Sequence, residues 1–165
     1  LIIMQGASGS GKSTRAKEIA RAEFGGTVAE GGLAFIFSTD EFFYVTNPDD
    51  PQGPKIYKWE YPLLSRYHAR NQERTRRALV EGYTVIVDNT NLTREVCIPY
   101  VEIAVARGIS VRFETCTGQY QNTHDVPADK VEAMRKTLEP LTVESVLAIR
   151  PTVRDINPDY SAKTK

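Results

Sequence analysis

The sequence predicts an α/β fold, a mostly parallel sheet with helices on both faces and a short helical lid. Three observations carry that prediction. Four short apolar runs, at 1–5, 33–39, 83–87 and 110–115, are rich in branched and aromatic residues and have the length of buried strands. Helical patterns separate them, and three of these stop on a glycine just past the last periodic residue. A glycine-rich turn joins the first run to the first helix. Strand and helix in alternation imply βαβ units with right-handed crossovers.

In chain order, the run 1–5 enters the turn at Gly6, and a helix over 13–24 ends at Gly25-Gly26. The run 33–39 ends on Asp40. The stretch 47–55 holds three prolines, a glycine and two aspartates and reads as a loop. A second helix is predicted over 62–80, ended by Gly82, and the run 83–87 ends on Asp88. A third helix, over 93–107, ends at Gly108, with Pro99 expected to kink it or delay its start. After the run 110–115, the irregular polar stretch 120–126 leads to a short helix over 127–138 with Val131, Met134 and Leu138 as its apolar stripe. The stretch 142–149 fits strand or helix, and 151–165 is a polar tail expected to fray. The organisation expected is a single domain over 1–150 followed by that tail. In such a sheet ligands bind beyond the carboxyl ends of the strands. If the strands ending at Gly6, Asp40 and Asp88 are neighbours, their ends meet in one crevice.

Composition narrows the function. The 165 residues carry 21 Lys+Arg against 21 Asp+Glu. This balance excludes a polybasic binder that holds nucleic acid by charge alone. Cys97 and Cys116, the two cysteines, form no paired motif, and with His68 and His124 as the two histidines a multi-histidine metal site is excluded. No apolar run approaches the roughly 18 residues of a membrane span. An intracellular protein, cytoplasmic or nuclear and without membrane contact, is expected. The start at Leu1, inside an apolar run, suggests a domain of a longer parent protein with further domains.

The turn Gly6-Ala-Ser-Gly-Ser-Gly11-Lys12-Ser13 matches G-x-x-x-x-G-K-[ST] in the strand-to-helix context that this phosphate-binding loop requires. Gly6, Gly9 and Gly11 let successive amides turn toward a polyphosphate, and the helix start adds unpaired donors. Ser10 and Thr14 complete the nucleotide-binding set. Lys12 supplies a cation for the β and γ phosphates of ATP or GTP, and Ser13 is placed to ligate Mg²⁺. Asp88 stands where a second Mg²⁺ ligand is needed, or else caps a strand end. Asn89, Thr90 and Asn91 either orient waters or build the turn.

Asp40 is the candidate general base, able to take a proton from an incoming hydroxyl. Its alternative role is to cap a helix beginning near Glu41. On the helix over 62–80, Arg66, Arg70, Arg74 and Arg77 fall within an arc of about 80°. Arg66, Arg70 and Arg74 are candidate acceptor-phosphate contacts, the alternative being a solvated face. His68, Asn71 and Thr75 lie among apolar positions and must find partners. Tyr57, Trp59 and Tyr61 suit either base stacking or core packing. Arg135 is the candidate lid residue, because a guanidinium matches phosphate geometry.

Gly6 to Thr14, then Phe37-Ser-Thr-Asp-Glu-Phe42, then Val85-Ile-Val-Asp-Asn-Thr-Asn91 occur in the order and approximate spacing of P-loop polynucleotide kinases. The chain resembles most the kinase module of ubiquitin-ligase-binding (Nedd-four-binding) proteins, which have similar stretches to His68-Ala-Arg-Asn71, Arg74, Val126-Pro127 and Met134. The resemblance spans about 1–147. It implies transfer of the ATP γ-phosphate to the 5′-hydroxyl of a DNA or RNA end, with Lys12 and Ser13 on phosphate and Mg²⁺, Asp40 as base and Arg135 as lid arginine. One departure concerns the acceptor: the phage enzyme has an arginine shortly after the base, where this chain has Phe42 and Phe43. A small-molecule P-loop kinase, and a nucleotide-dependent module that binds nucleic-acid ends without turnover, are the alternatives. Zero net charge further predicts a small acceptor grip, of roughly two to four phosphates.

Overall fold

The four predicted strands pair in the order β2-β5-β1-β6, all parallel, where β1 is Ile2–Gln5, β2 Ala34–Phe37, β5 Thr84–Val87 and β6 Arg112–Thr115. The computed structural model describes residues 1–122 and 124–148, so the predicted tail 151–165 lies outside the described residues. The helices are α1 (Lys12–Phe24), α2 (Leu64–Val80), α3 (Arg94–Val105), α4 (Ala128–Thr137) and α5 (Val143–Leu147). Element α5 settles the ambiguous stretch 142–149 as helix over its described part. Thr142 opens it as an N-cap, its hydroxyl accepting from the Ser145 amide.

Alternation along the strands builds two cores. Leu1 and Ile3 with Val85 and Val87 face α2, α3 and α5, packing on Leu79, Tyr100, Val101 and Val146. Ile2, Met4 and Ile86 face the other way onto Ala16, Ile19 and Ala20 of α1. All four residues of β1 are buried, as expected of a central parallel strand covered on both faces.

Pro99 neither delays α3 nor ends it: the helix runs from Arg94 through the proline. An interior proline removes one N–H from the ladder. Here Cys97, Tyr100, Val101 and Ala104 are buried around it, and that packing outweighs one missing bond. An antiparallel hairpin of β3 (Tyr44–Val45) and β4 (Ile56–Tyr57), whose strands are too short to show in the sequence pattern, brackets the proline-rich loop. Among the described residues no helix is long and apolar enough to cross a membrane.

Candidate active site

The sheet order places the ends of β2, β5 and β1 side by side, so the residues after each strand converge. Backbone bonds join them: the Asp88 amide donates to the Phe37 carbonyl at 2.8 Å, and the Gly6 amide to the Thr90 carbonyl at 3.0 Å. Gly9 and Gly11 have φ of +77° and +94°, values that a residue with a Cβ rarely adopts. The glycine turn therefore curls over the start of α1 as the sequence predicts. The Ser10 amide bonds inside the turn, to the Ala7 carbonyl at 3.1 Å. A strap after β6, which runs on into the irregular stretch 120–126, clasps the turn from outside. The Gly118 amide donates to the Ser10 carbonyl and the Tyr120 amide to the Gly9 carbonyl at 2.7 Å.

Lys12 Nζ donates to the Ala7 carbonyl at 3.0 Å. Burial lowers its pKa, with Asp88 the largest opposing influence, so the ammonium sits in a site that rewards an added anion. The Ser13 hydroxyl donates to Asp88 Oδ2 at 2.7 Å. Burial raises the Asp88 pKa against this hydrogen bond and the Lys12 charge, and its other oxygen, Oδ1, is buried without a hydrogen-bond partner. A hydroxyl and a carboxylate with a spare oxygen suit a hard cation that keeps water and phosphate as its remaining ligands. Among the described residues no group of three or more His, Cys, Asp and Glu could hold a metal by itself.

Asp40 lies on a 3-10 turn, Thr39–Phe43, rather than on the strand. It does not cap that turn. The cap is Ser38, whose hydroxyl accepts from the Asp40 amide, with Glu41 reaching back to the Ser38 amide. Asn89 fixes the turn to β5, its Oδ1 accepting from the Thr39 amide at 2.8 Å and its Nδ2 donating to Thr39 Oγ1 at 3.1 Å. The Asp40 carboxylate faces two residues from other segments: Tyr57 donates to Oδ1 at 3.1 Å, and His124 Nε2 stands 3.7 Å from Oδ2. The Tyr57 hydroxyl is held protonated, its pKa raised by burial and by the Asp40 charge.

Three cavities surround these groups. One of about 630 Å³ is lined by Lys12, Ser13, Asp40, Asp88 and His124. A second, of about 490 Å³, lies across Asp40 and is lined by Tyr57, Trp59, Leu64, His68, Lys130 and Met134. A third, of about 600 Å³, opens beside the glycine turn against Arg15, Cys116 and Tyr120.

A family profile described as an AAA domain matches residues 1–141. The chain belongs to this AAA domain family. NEDD4-binding protein 2 of Homo sapiens is 26% identical over 144 residues, 81% of this chain and 7% of that protein. The chain thus spans a small fraction of that curated relative. Among solved structures, a gluconokinase from Sinorhizobium meliloti 1021 matches with a TM-score of 0.50 at 21% identity, covering 84% of this chain and 74% of that one. A Pnkp1/Rnl/Hen1 complex matches with a TM-score of 0.48 at 20% identity, covering 86% of this chain and 40% of that one. The architecture is a P-loop kinase fold.

In this AAA domain the predicted arginine stripe does not face the site. Arg66, Arg70 and Arg74 line none of the three cavities. Arg74 is turned inward, donating to Asn71 Oδ1, the Ser38 carbonyl and Glu41, with its guanidinium over the rings of Phe37 and Phe42. It braces α2 against the turn that carries Asp40. Arg70 lies over Phe42 at 4.4 Å, and Arg66 is exposed.

Arg135 is likewise absent from the three cavities; it faces Glu132 of its own helix at 3.5 Å. Element α4 instead presents Lys130 and Met134 to the second cavity, and Met134 Sδ accepts from the Ser8 hydroxyl at 3.7 Å. Asn71 and Thr75 are buried structural groups: Asn71 Nδ2 donates to the Tyr100 hydroxyl, and the Thr75 hydroxyl to the Asn71 carbonyl. His68 differs, with Nδ1 3.0 Å from the Thr39 hydroxyl at the wall of the second cavity. Tyr57 and Trp59 pack on Phe43, and both also line that cavity.

Proposed function

We propose that this domain is an ATP-dependent kinase that transfers the γ-phosphate to the 5′-hydroxyl of a DNA or RNA end. The observation that carries the reading is the meeting of two cavities at Asp40, one holding the phosphate-binding groups and the other walled by aromatic and aliphatic side chains. On this reading the triphosphate lies over the glycine turn and Lys12, and the nucleobase rests against Tyr120 in the third cavity. Ser13 and Asp88 would hold Mg²⁺, which when bound neutralises phosphate charge. Asp40 accepts the proton of the acceptor hydroxyl as that oxygen bonds to phosphorus, and ADP departs with the electron pair of the broken bond.

The second cavity supports an aromatic acceptor. Trp59 is 51% exposed and its ring lies 6.0 Å from that of Tyr61, itself 72% exposed. Such surfaces stack bases without reading sequence. Among the described residues Lys130 is the one Lys or Arg side chain that lines this cavity, a thin permanent counter-charge for the carboxylate of a sugar acid. The order of the three motifs supports the same reading.

One observation favours a second reading, transfer to a small acceptor of low charge. The donor cavity is lined by Lys12, Lys17 and Arg21, with His124 beside them, against four carboxylates, Glu30, Asp40, Glu41 and Asp88. A long polyanion gains little there. The deciding experiment offers purified protein, Mg²⁺ and labelled ATP a choice of 5′-hydroxyl oligonucleotide, mononucleosides and gluconate. The expected result is labelled oligonucleotide, lost in Asp40→Asn. Transfer to gluconate or nucleoside alone establishes the second reading, and ATP-dependent oligonucleotide binding without transfer means a binding module.

A further inference from the structure

We infer that His124 supplies the positive hydrogen-bond donor to the transferring phosphoryl group that the sequence assigns to Arg135; the inference rests on the kinase reading above. Five residues line both the donor and the acceptor cavity: Ser8, Asp40, Asn89, Thr90 and His124. His124 is the one among them whose side chain can carry positive charge. Arg135 faces Glu132, and Lys130 reaches the acceptor cavity only.

The geometry at Asp40 sharpens the assignment. Tyr57 already donates its hydroxyl to Oδ1, which makes Oδ2 the better placed oxygen to take a proton. His124 Nε2 lies 3.7 Å from that same Oδ2, too far for a direct hydrogen bond but close enough to flank whatever docks on it. A hydroxyl within hydrogen-bonding reach of Oδ2 therefore sits beside Nε2, as does the phosphoryl group it attacks. The imidazole is also held in place: its ring stacks on Tyr57 with centroids 4.3 Å apart and planes at 25°, and the Tyr44 ring lies 6.3 Å away.

In the step itself the acceptor O–H bond breaks with its proton passing to Asp40 Oδ2, the new O–P bond forms, and the β,γ-bridging bond breaks with its electron pair leaving on ADP. His124 donates through Nε2–H to a non-bridging phosphoryl oxygen and keeps its proton throughout. A fixed donor of this kind acts where charge builds in a water-poor site.

Four substitutions test this, each with kcat and KM for the hydroxyl-bearing acceptor that the parent phosphorylates, ATP affinity by titration, and a thermal melt. His124→Phe keeps the ring stacked on Tyr57 and deletes the donor; His124→Ala removes both; His124→Arg and His124→Gln keep a donor. The expected result is a kcat about 10²-fold lower in His124→Phe and His124→Ala, with KM and ATP affinity within about threefold of the parent. His124→Arg should recover most of that loss and His124→Gln part of it. Full activity in His124→Phe, or a His124→Arg as impaired as His124→Phe while equally folded, overturns the inference. A parent that phosphorylates no acceptor at all refutes the kinase reading instead, which keeps the two failures apart.

Discussion

The Ser13 hydroxyl donates to one carboxylate oxygen of Asp88 at 2.7 Å, and the other oxygen of Asp88 is buried with no hydrogen-bond partner. Burial holds this carboxyl above the usual range of an aspartate. A carboxyl raised in the folded state binds protons more readily folded than unfolded. Its stabilising contribution is therefore complete below the unfolded value, near pH 3.9, and lost as pH rises through the folded value. Above the folded value the metal-free domain bears the cost of an ionised, half-satisfied carboxylate, which a cation would relieve.

Asp88→Asn removes that charge. In EDTA it should melt at or above the parent temperature, and it should lack the rise in melting temperature that Mg²⁺ adds to ATP in the parent. Calorimetry with and without Mg²⁺ checks both. An Asp88→Asn protein that gains as much from Mg²⁺ as the parent would remove Asp88 from the cation site.

Asp40 and Tyr57 should separate by degree. Asp40→Asn removes the proton acceptor and should lower kcat by roughly 10² to 10⁴ without loss of ATP affinity. Tyr57→Phe leaves the carboxylate but frees Oδ1, so the proton-accepting oxygen is no longer fixed; about a tenfold fall in kcat is expected. Steady-state kinetics on the two variants would reverse this assignment if Tyr57→Phe were the more damaging.

Arg74 should behave as a brace. Its guanidinium joins Asn71, Ser38 and Glu41 and covers Phe37 and Phe42, with the side chain 25% exposed. Arg74→Ala should cost about 2 to 3 kcal/mol in chemical denaturation, and exposed Arg66→Ala within about 0.5 kcal/mol. The salt slope of oligonucleotide binding should be shallow, matching about two to four phosphates, and unchanged in Arg74→Ala. A slope reduced by about one in Arg74→Ala would restore it as a phosphate contact.

The strands, the helices and the three strand-end motifs are legible in the sequence because each rests on local chemistry: apolar runs of strand length, glycine stops, and a phosphate loop with fixed spacing. What escapes the sequence depends on partners far along the chain. Arg74 lies on the same helical arc as Arg66, and the approach of Ser38, Glu41 and Phe42, more than 30 positions away, turns it inward. Arg135 and Lys130 share one short helix, and which of them faces the crevice depends on the path of the strap after β6. His124 carries no motif at all. Its place is set by Tyr57 on a hairpin whose two-residue strands, Tyr44–Val45 and Ile56–Tyr57, are too short to leave a periodic signal.

Asn91 offers the last test, because it joins the strand before the phosphate loop to the strand before Asp88. It is buried and has φ +46°, and its Nδ2 reaches the carbonyls of Met4 at 2.7 Å, Asn89 at 3.2 Å and Val87 at 3.4 Å. The sequence left open whether this residue orients water or builds the turn; the bonds to Met4 and Val87 make it a builder. Asn91→Ala loses those bonds and keeps a left-handed backbone without an asparagine to support it. Asn91→Gly loses the same bonds without that strain. Both should be destabilised in urea, with alanine worse than glycine by about 1 kcal/mol. Because Met4 and Val87 lie just before the loop and Asp88, the loosened turn should weaken ATP binding in the same order. If the two variants lost stability equally while ATP affinity stayed at the parent value, the turn would be shown to fix the backbone angle of Asn91 without positioning the nucleotide site.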